Sequence, residues 1–463
     1  MHIEQLYTKC LAQGAYFISS DGEAAIIDPL REIEPYLNLL NKNKVKLKYI
    51  FETHFHADFV SGHLDLSKKT GAQIIYGPTA RPAFDCHIAA DNEYFSIGKL
   101  KLKVLHTPGH TMESVCYLLF DESGHEVCLF SGDTLFLGDV GRPDLAQAGS
   151  GYSQEELAGI LYDSIYQKLL PLPDHILIYP AHGAGSSCGK NMMQETVDTL
   201  KHQKAVNYAL NQKSKSDFIR EVLDGLGSPP PYFEMNVALN KNGYEAYDEL
   251  HRKKMKALDI IEFSELQKHN DVIILDTRSA DEFCKGFILG SINIGLDGQF
   301  APWVGSILAN VTQKIILITC NGREEESILR LARVGFDQVL GYLQGGFQTW
   351  NDAGQSIETI HRINASSFER EYNQEDSKII DIRKESEYNK SHVVHADFKT
   401  LDEIPQWLDT LNDSQHQYIY CGGGYRSMIA ASMMKAKGLH NFTEIEGGFG
   451  AIAKTNIPIF YIA

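Results

Sequence analysis

No two cysteines in this 463-residue chain are spaced C-x-x-C. The eight present, Cys10, Cys86, Cys116, Cys128, Cys188, Cys284, Cys320 and Cys421, are scattered. They read as reduced cytosolic thiols, most of them small core hydrophobes. No apolar run reaches membrane-spanning length. The opening MHIEQLYTKCLAQ lacks a basic region followed by an apolar core. Neither a membrane anchor nor an export signal is therefore expected, and the expected location is cytoplasmic. Positive charge is also short: 43 Lys and Arg face 60 Asp and Glu, a net charge of -17. Such a surface repels phosphate backbones, so nucleic acid is not an expected partner. What remains is ordinary: 43% hydrophobic and 22% charged residues, enough for sizeable cores in about two to four domains.

The first part of the chain alternates short apolar runs with Gly- and Asp-containing turns, which predicts many strands. The runs include Ala24–Ile27, Leu47–Phe51, Gln73–Tyr76, Leu100–His106, Val115–Phe120, Val127–Ser131 and Ile176–Tyr179. Asp121–Gly124 is placed to turn a hairpin. Leu157, Ile160, Leu161, Ile165 and Leu169 fall on one helical face. The pattern is mixed α/β without a simple βαβ rhythm. The three prolines of GSPPPYFEMN (Gly227–Asn236) interrupt helix and close this region. Beyond them the chain repeats itself. IILDTRSADEF (Ile273–Phe283) matches KIIDIRKESEY (Lys378–Tyr388), LITC matches YIYC, and Gly345-Gly346-Phe347 matches Gly447-Gly448-Phe449. One spacing separates Asp276 from Asp381, Arg278 from Arg383 and Glu282 from Glu387. Two copies of one α/β domain are expected, each with a parallel sheet covered on both faces. The expected boundaries are 1–245, 246–358 and 359–463.

His54, His56 and Asp58 alternate in THFHADF at the end of an apolar strand. Residues at i, i+2 and i+4 share a face of extended chain and can converge on one ion. His110 in HTPGHT, Asp133 in FSGDTLF and His182 in IYPAHGAG follow strands in the same way. T-H-x-H-x-D followed by G-H, G-D and a last His resembles the metallo-β-lactamase superfamily. That resemblance implies a four-layer αββα sandwich with metal at one sheet edge. Many dinuclear members carry a histidine directly after the motif's aspartate; here that residue is Phe59. An apolar ring cannot ligate, which favours one metal.

THFHAD followed by GDVGRPDL (Gly138–Leu145) is similar to the superfamily's persulfide dioxygenases. By that resemblance one Fe(II) per chain is held by His54, His110 and Asp133, the two-histidine, one-carboxylate arrangement of non-haem iron. His56, Asp58 and His182 then orient ligands or exchange protons. Arg142 and Asp144 form a supporting ion pair or merely close a turn. The implied substrates are O2 and a low-molecular-weight persulfide of glutathione, coenzyme A or cysteine type, and the products are sulfite and a thiol. A zinc-dependent thioester hydrolase resembling glyoxalase II, fused to a sulfurtransferase, is the alternative. A non-catalytic, sulfur-responsive scaffold is a third reading, which the intact donor set argues against. Cys188 in GAGSSCGK is expected near the substrate route and able to hold a sulfur, with Lys190 placed to lower its pKa or attract an anionic persulfide.

The second repeat carries CGGGYRS (Cys421–Ser427) between a strand and the helix MIAASMMKAKG. Glycines let amide N–H groups turn towards the cysteine sulfur, and the helix N-terminus and Arg426 add positive potential. The loop resembles the active-site loop of rhodanese sulfurtransferases. The resemblance implies that Cys421 carries sulfur, that Arg426 and Ser427 shape the loop and bind substrate, and that Asp381 and Arg383 are a structural pair. The first repeat reads CNGREEES (Cys320–Ser327). Cys320 stands one position closer to Gly345 than Cys421 to Gly447, which predicts a shorter loop. Glu324, Glu325 and Glu326 are expected to oppose thiolate formation. A degenerate domain serving as spacer or docking surface is expected, or a Cys320 that accepts sulfur transiently. The whole resembles a sulfide-detoxification fusion, with thiosulfate formed from sulfite and the Cys421 persulfide. The family resemblance favours a homo-oligomer.

Overall fold

The computed structural model describes residues 1–146, 151–373 and 377–462. The chain divides into two compact units, Met1–Leu250 with Ala332–Gly335, and His251–Leu331 with Phe336–Ala463.

The first unit is a sandwich of two six-stranded sheets. One sheet is ordered β1 (His2–Thr8), β2 (Gln13–Ser20), β3 (Glu23–Ile27), β4 (Lys46–Phe51), β5 (Gln73–Tyr76) and β6 (His87–Ile88). The other is built from β7 (Tyr94–Ile97), β8 (Leu100–His106), β9 (Val115–Phe120), β10 (Glu126–Gly132), β11 (Leu177–Pro180) and β12 (Asp198–Thr199), neighbours in that order. Alternation along each strand separates two faces. Tyr16 and Ile18 of β2 join Phe51, Tyr117, Leu119 and Phe130 between the sheets. Ala15 and Phe17 face Leu39, Leu40 and Leu66 of the helices Glu34–Asn43 and His63–Thr70. Leu118 and Leu129 pack on the outer side against Leu161, Ile165 and Phe218. Full burial of such side chains contributes about 1.5–3 kcal/mol each. The four layers are therefore αββα. Asp121 turns the β9–β10 hairpin by accepting from Ser123 and His125 amides. A βαβ rhythm does run through β3, β4 and β5, which pair in parallel across the two helices. The antiparallel hairpins on either side mask it in the sequence.

The second unit holds two five-stranded parallel sheets. The first is ordered β13 (Ala257–Leu258), β17 (Val339–Leu343), β16 (Lys314–Ile318), β14 (Val272–Asp276) and β15 (Ile292–Asn293). The second follows the same plan with β18 (Arg362–Asn364), β23 (Phe442–Glu446), β22 (Gln417–Tyr420), β19 (Lys378–Asp381) and β21 (Asp397–Phe398). It adds a short antiparallel pair, β20 (Ser391–Val393) with β24 (Ile459–Tyr461). In both repeats a helix begins at the fourth residue past the cysteine, at Glu324 and at Tyr425. The two cysteine loops are thus equal in length, and the missing position lies further on, where Glu324–Arg333 is shorter than Tyr425–Ala436.

Candidate functional site

The ends of four strands of the first unit deliver its polar groups. β4 runs into Thr53–Phe59, β8 into His110, β10 into Asp133 and β11 into His182. His54, His56, Asp58, His110, Asp133 and His182 are all buried. Donor atoms of His54, His110 and Asp133 lie within 4.8 Å of one another. Asp133 Oδ2 is 3.8 Å from His54 Nε2 and 3.4 Å from His110 Nε2.

Neighbouring hydrogen bonds fix which nitrogen of each ring is left over. Thr53 Oγ1 donates to Asp28 Oδ2 at 2.9 Å, so towards His54 Nδ1, 3.0 Å away, it can only accept. The carbonyl of Arg142 accepts from His110 Nδ1 at 2.8 Å. Both rings thus carry their proton on Nδ1 and aim an Nε2 lone pair inward. Burial pushes the pKa of both imidazoles down, His56 adding to the effect at His54. Burial pushes Asp133 the other way, but His182 and His54 outweigh it and hold its carboxyl well below the usual range. Two neutral imidazoles and one ionised carboxylate result. His110 Nε2 and Asp133 Oδ2 are buried without a hydrogen-bond partner among the described residues. Orphaned donor atoms that converge in this way fit a divalent cation.

His182 stands between two acids, with Nδ1 2.7 Å from Asp133 Oδ1 and Nε2 2.8 Å from Asp58 Oδ2. Burial lowers its pKa, but Asp133 and Asp58 more than reverse this and leave it well above the ordinary value. Phe59 is fully buried and stacks on His56 at 4.2 Å, an apolar ring where dinuclear relatives place a ligand. His56 Nε2 is 3.0 Å from Asp28 Oδ1. Asn240 clamps the motif from behind, donating to the carbonyls of His56 and Phe59 and accepting from the Ser61 amide. The segment after the three prolines therefore braces this motif, and the first unit runs on beyond it to Leu250.

Arg142 and Asp144 form a two-pronged ion pair at 2.7 and 2.6 Å, and Arg142 also donates to the carbonyls of Ser187 and Gly227. Gly141 makes this packing possible, since a Cβ there would fall 1.9 Å from the Asp133 carbonyl. Cys188 is placed by the same motif, because the Arg142 amide donates to its carbonyl. Its sulfur lies within 4.8 Å of donor atoms of Asp58 and His182. The expected activation by Lys190 does not occur. Lys190 donates to the carbonyls of Glu221 and Asp224 and covers the Tyr208 ring. Burial, then Asp58 and Asp133, push the Cys188 thiol well above its ordinary value. Cys116 and Cys128 are core residues as expected, whereas Cys10, Cys86, Cys284 and Cys320 are only half-buried.

In the second unit Cys421 directly follows β22 and is 1% exposed. Its sulfur accepts from the Gly424 amide at 3.1 Å and the Ser427 hydroxyl at 3.4 Å. Ser427 Oγ is also 2.5 Å from Glu444 Oε1. A hydroxyl has one proton. With that proton on the sulfur, the second contact needs a proton on Glu444, which burial favours by raising its pKa against the pull of Arg362. Glu444 was not singled out in the sequence. A charged residue in the buried strand FTEIE is the signal that could have found it, and the aligned residue of VLGYL is Tyr342. Arg426 makes a fork with Glu387 at 2.6 and 2.9 Å, so its charge is offset rather than aimed at the thiol. Asp381 and Arg383 are a buried structural pair at 2.7 Å, with the guanidinium 4.0 Å over Phe449.

The first repeat differs at the cysteine. Glu282, the counterpart of Glu387, lies 3.8 Å from Cys320 Sγ. Burial and then Glu282 raise the Cys320 thiol. The run Glu324–Glu326 is not the cause. Glu326 pairs with Arg323 and Arg330, and Glu325 reaches His251.

The first unit is an αββα sandwich with candidate metal donors at its strand ends, and the second holds two parallel-sheet repeats with cysteine loops. Residues 9–182 match the metallo-β-lactamase superfamily, and residues 259–353 and 364–455 match the rhodanese-like domain. The chain is 33% identical over 185 residues to a probable hydroxyacylglutathione hydrolase of Schizosaccharomyces pombe, covering 38% of this chain and 67% of that one. It is 31% identical over 211 residues to the mitochondrial persulfide dioxygenase ETHE1 of Homo sapiens, covering 45% and 74%. A solved metallo-β-lactamase from Staphylococcus aureus subsp. aureus COL is 33% identical with a TM-score of 0.66, covering 74% of this chain and 98% of that one. The chain belongs to the metallo-β-lactamase superfamily and carries rhodanese-like domains behind that fold. Among the described residues no helix is long and apolar enough to cross a membrane.

Proposed function

We propose that the first unit is a one-iron persulfide dioxygenase and that Cys421 carries sulfur for a linked transfer reaction. The observation that carries this reading is the His54, His110 and Asp133 donor set beside Phe59 in place of a further ligand. Iron(II) held by those three residues supplies the redox step that zinc cannot. The overall change is R–S–SH + O2 + H2O giving R–SH + sulfite + two protons. Sulfur is oxidised and dioxygen reduced. Thr53 and the Arg142 carbonyl keep the two imidazoles in the ligating tautomer. His182 holds a proton between Asp58 and Asp133 and so anchors the Asp133 carboxylate. Buried Phe59 keeps water from the side of His56 that it covers. In the second unit a Cys421 persulfide gives its outer sulfur to sulfite. The Cys–S–S bond breaks, its electron pair returns to Cys421, and thiosulfate leaves.

Anaerobic metal analysis with O2 uptake on glutathione persulfide tests the first half. Stoichiometric iron and O2 consumption are expected; stoichiometric zinc with no O2 uptake refutes the reading. A zinc thioester hydrolase is the second reading, because similarity to hydroxyacylglutathione hydrolases stands level with similarity to persulfide dioxygenases. Hydrolysis of S-lactoylglutathione by the zinc form, with iron inert, is its signature.

A further inference from the structure

The short helix Ala280–Phe283 of the first repeat carries two adjacent acids, Asp281 and Glu282. Ser279 caps it by accepting from the Glu282 amide, which fixes the turn. Glu282 faces its own repeat, 3.8 Å from Cys320 Sγ. Asp281 reaches the second repeat, where it pairs with Arg362. Further contacts hold the two repeats in this register. The Tyr425 hydroxyl donates to the Gly295 carbonyl at 2.7 Å, and the Asn293 amide donates to Ser432 Oγ at 2.9 Å. Tyr425 and Ser432 belong to the helix that follows Cys421, so Asp281 is fixed relative to that loop.

Arg362 serves two carboxylates at once. Its Nε donates to Glu444 Oε2 at 2.6 Å, while its Nη1 donates to Asp281. Glu444 Oε1 is 2.5 Å from Ser427 Oγ, which is 3.4 Å from Cys421 Sγ. A chain of polar contacts thus runs from Asp281 through Arg362, Glu444 and Ser427 to the Cys421 sulfur. Glu444 is fully buried and Asp281 is 70% exposed, so the first repeat supplies the end that meets solvent. Glu446 and half-buried Cys284 are the other titratable groups that bear on Glu444. Burial favours a protonated Glu444 and Arg362 opposes it. A guanidinium shared between two carboxylates pulls less on each than on one alone. Ser427 has one proton and two neighbours that can accept it. An ionised Glu444 takes that hydrogen bond, whereas a protonated Glu444 donates to Ser427 and leaves the Ser427 proton for the sulfur. We propose that Asp281 is a positioning residue for Cys421: by drawing on Arg362 it turns the Ser427 proton from Glu444 to the sulfur. Protons shift only within this chain, and no bond to sulfur is made or broken. What the coupling does for the protein rests on the sulfur-transfer reading of Cys421; the coupling itself does not. Of two neighbouring acids on one turn, Glu282 crowds its own cysteine and Asp281 supports the cysteine of the other repeat.

The test is the rate at which iodoacetamide alkylates Cys421 in the full-length protein near neutral pH, read by peptide mapping, beside sulfur transfer from thiosulfate to cyanide. Asp281→Asn should slow both about threefold. Asp281→Glu keeps the charge and should restore most of the rate. The sign is diagnostic, because an acid that acted on the thiolate only through space would, once removed, speed alkylation. In the Glu444→Gln protein the same Asp281→Asn change should have no further effect, since the amide cannot ionise and the two substitutions act through one path. Asp281 is exposed, so its variants leave the core intact. Unchanged or faster alkylation in Asp281→Asn, or the same slowing in the Glu444→Gln background, overturns the inference. If alkylation responds as expected while the wild-type protein transfers no sulfur, the coupling of Asp281 to Cys421 holds and the sulfurtransferase reading falls by itself.

Discussion

The two repeats of the second unit share a strand order, a D-x-R pair and a cysteine at the same strand end, yet differ in what faces the sulfur. In the first, Glu282 lies 3.8 Å from Cys320. In the second, Arg426 takes the equivalent Glu387 into a two-pronged pair, and a hydroxyl backed by Glu444 reaches the sulfur instead. One cation and one buried acid thus separate the Cys421 loop from the Cys320 loop. The first repeat is no bare spacer, because its Asp281 pairs with Arg362 of the second.

The comparison breaks most sharply at the cysteines. Cys421→Ser should lower sulfur transfer at least about a thousandfold, while Cys320→Ser stays within about twofold. Peptide mapping after glutathione persulfide treatment should find the added sulfur on Cys421. Rapid alkylation or persulfidation of Cys320 near neutral pH would sink the inactive reading of the first repeat. Glu444→Gln keeps the shape of the side chain but not its acidity. It should slow transfer about tenfold, with alkylation of Cys421 slowed in parallel and the unfolding midpoint little changed. An unchanged alkylation rate would remove Glu444 from the account. Glu282→Gln removes a negative charge beside Cys320, so the alkylation midpoint of that thiol should move down by about one pH unit. A midpoint that stays put leaves burial alone as the cause.

The smallest effect concerns acid stability. Burial acts against ionisation of Glu387, but Arg426 wins and its pKa is lowered. The folded chain therefore binds this proton less readily than the unfolded chain. The stability is present above the unfolded value and is lost as pH falls through the carboxylate range. With Glu387 about a third exposed, solvent screening limits the contribution to about 1 kcal/mol or less. Urea unfolding of Arg426→Met at pH 7 and at pH 4 should show a larger deficit at the higher pH. A deficit of equal size at both would trace it to packing.

Much of this was legible because the chemistry sits at strand ends. An apolar run followed by His or Asp marks both the fold and the donor, as at His54, His110, Asp133 and His182. The repeat offset likewise aligned the two cysteine loops without coordinates. What stayed hidden depends on contacts distant in sequence. Lys190 looked poised to activate Cys188 because it is two residues away, yet the chain turns its ammonium onto Glu221 and Asp224 carbonyls. Glu324, Glu325 and Glu326 looked threatening to Cys320 by proximity along the chain, but Arg323 and Arg330 occupy Glu326 while Glu282 makes the approach. Asn240 comes from a segment whose pattern reports only helix. The expected shorter loop failed because a length difference shows only that a residue is missing, not where.

The central claim is that oxidation in the first unit and sulfur carriage on Cys421 are halves of one sequence of reactions. Product analysis of iron-loaded wild type and Cys421→Ser, each given glutathione persulfide and O2, tests it directly. The account predicts equal O2 uptake by both proteins, with thiosulfate from the wild type and sulfite alone from the variant. Thiosulfate in equal yield from both, or no O2 uptake by either, would contradict it.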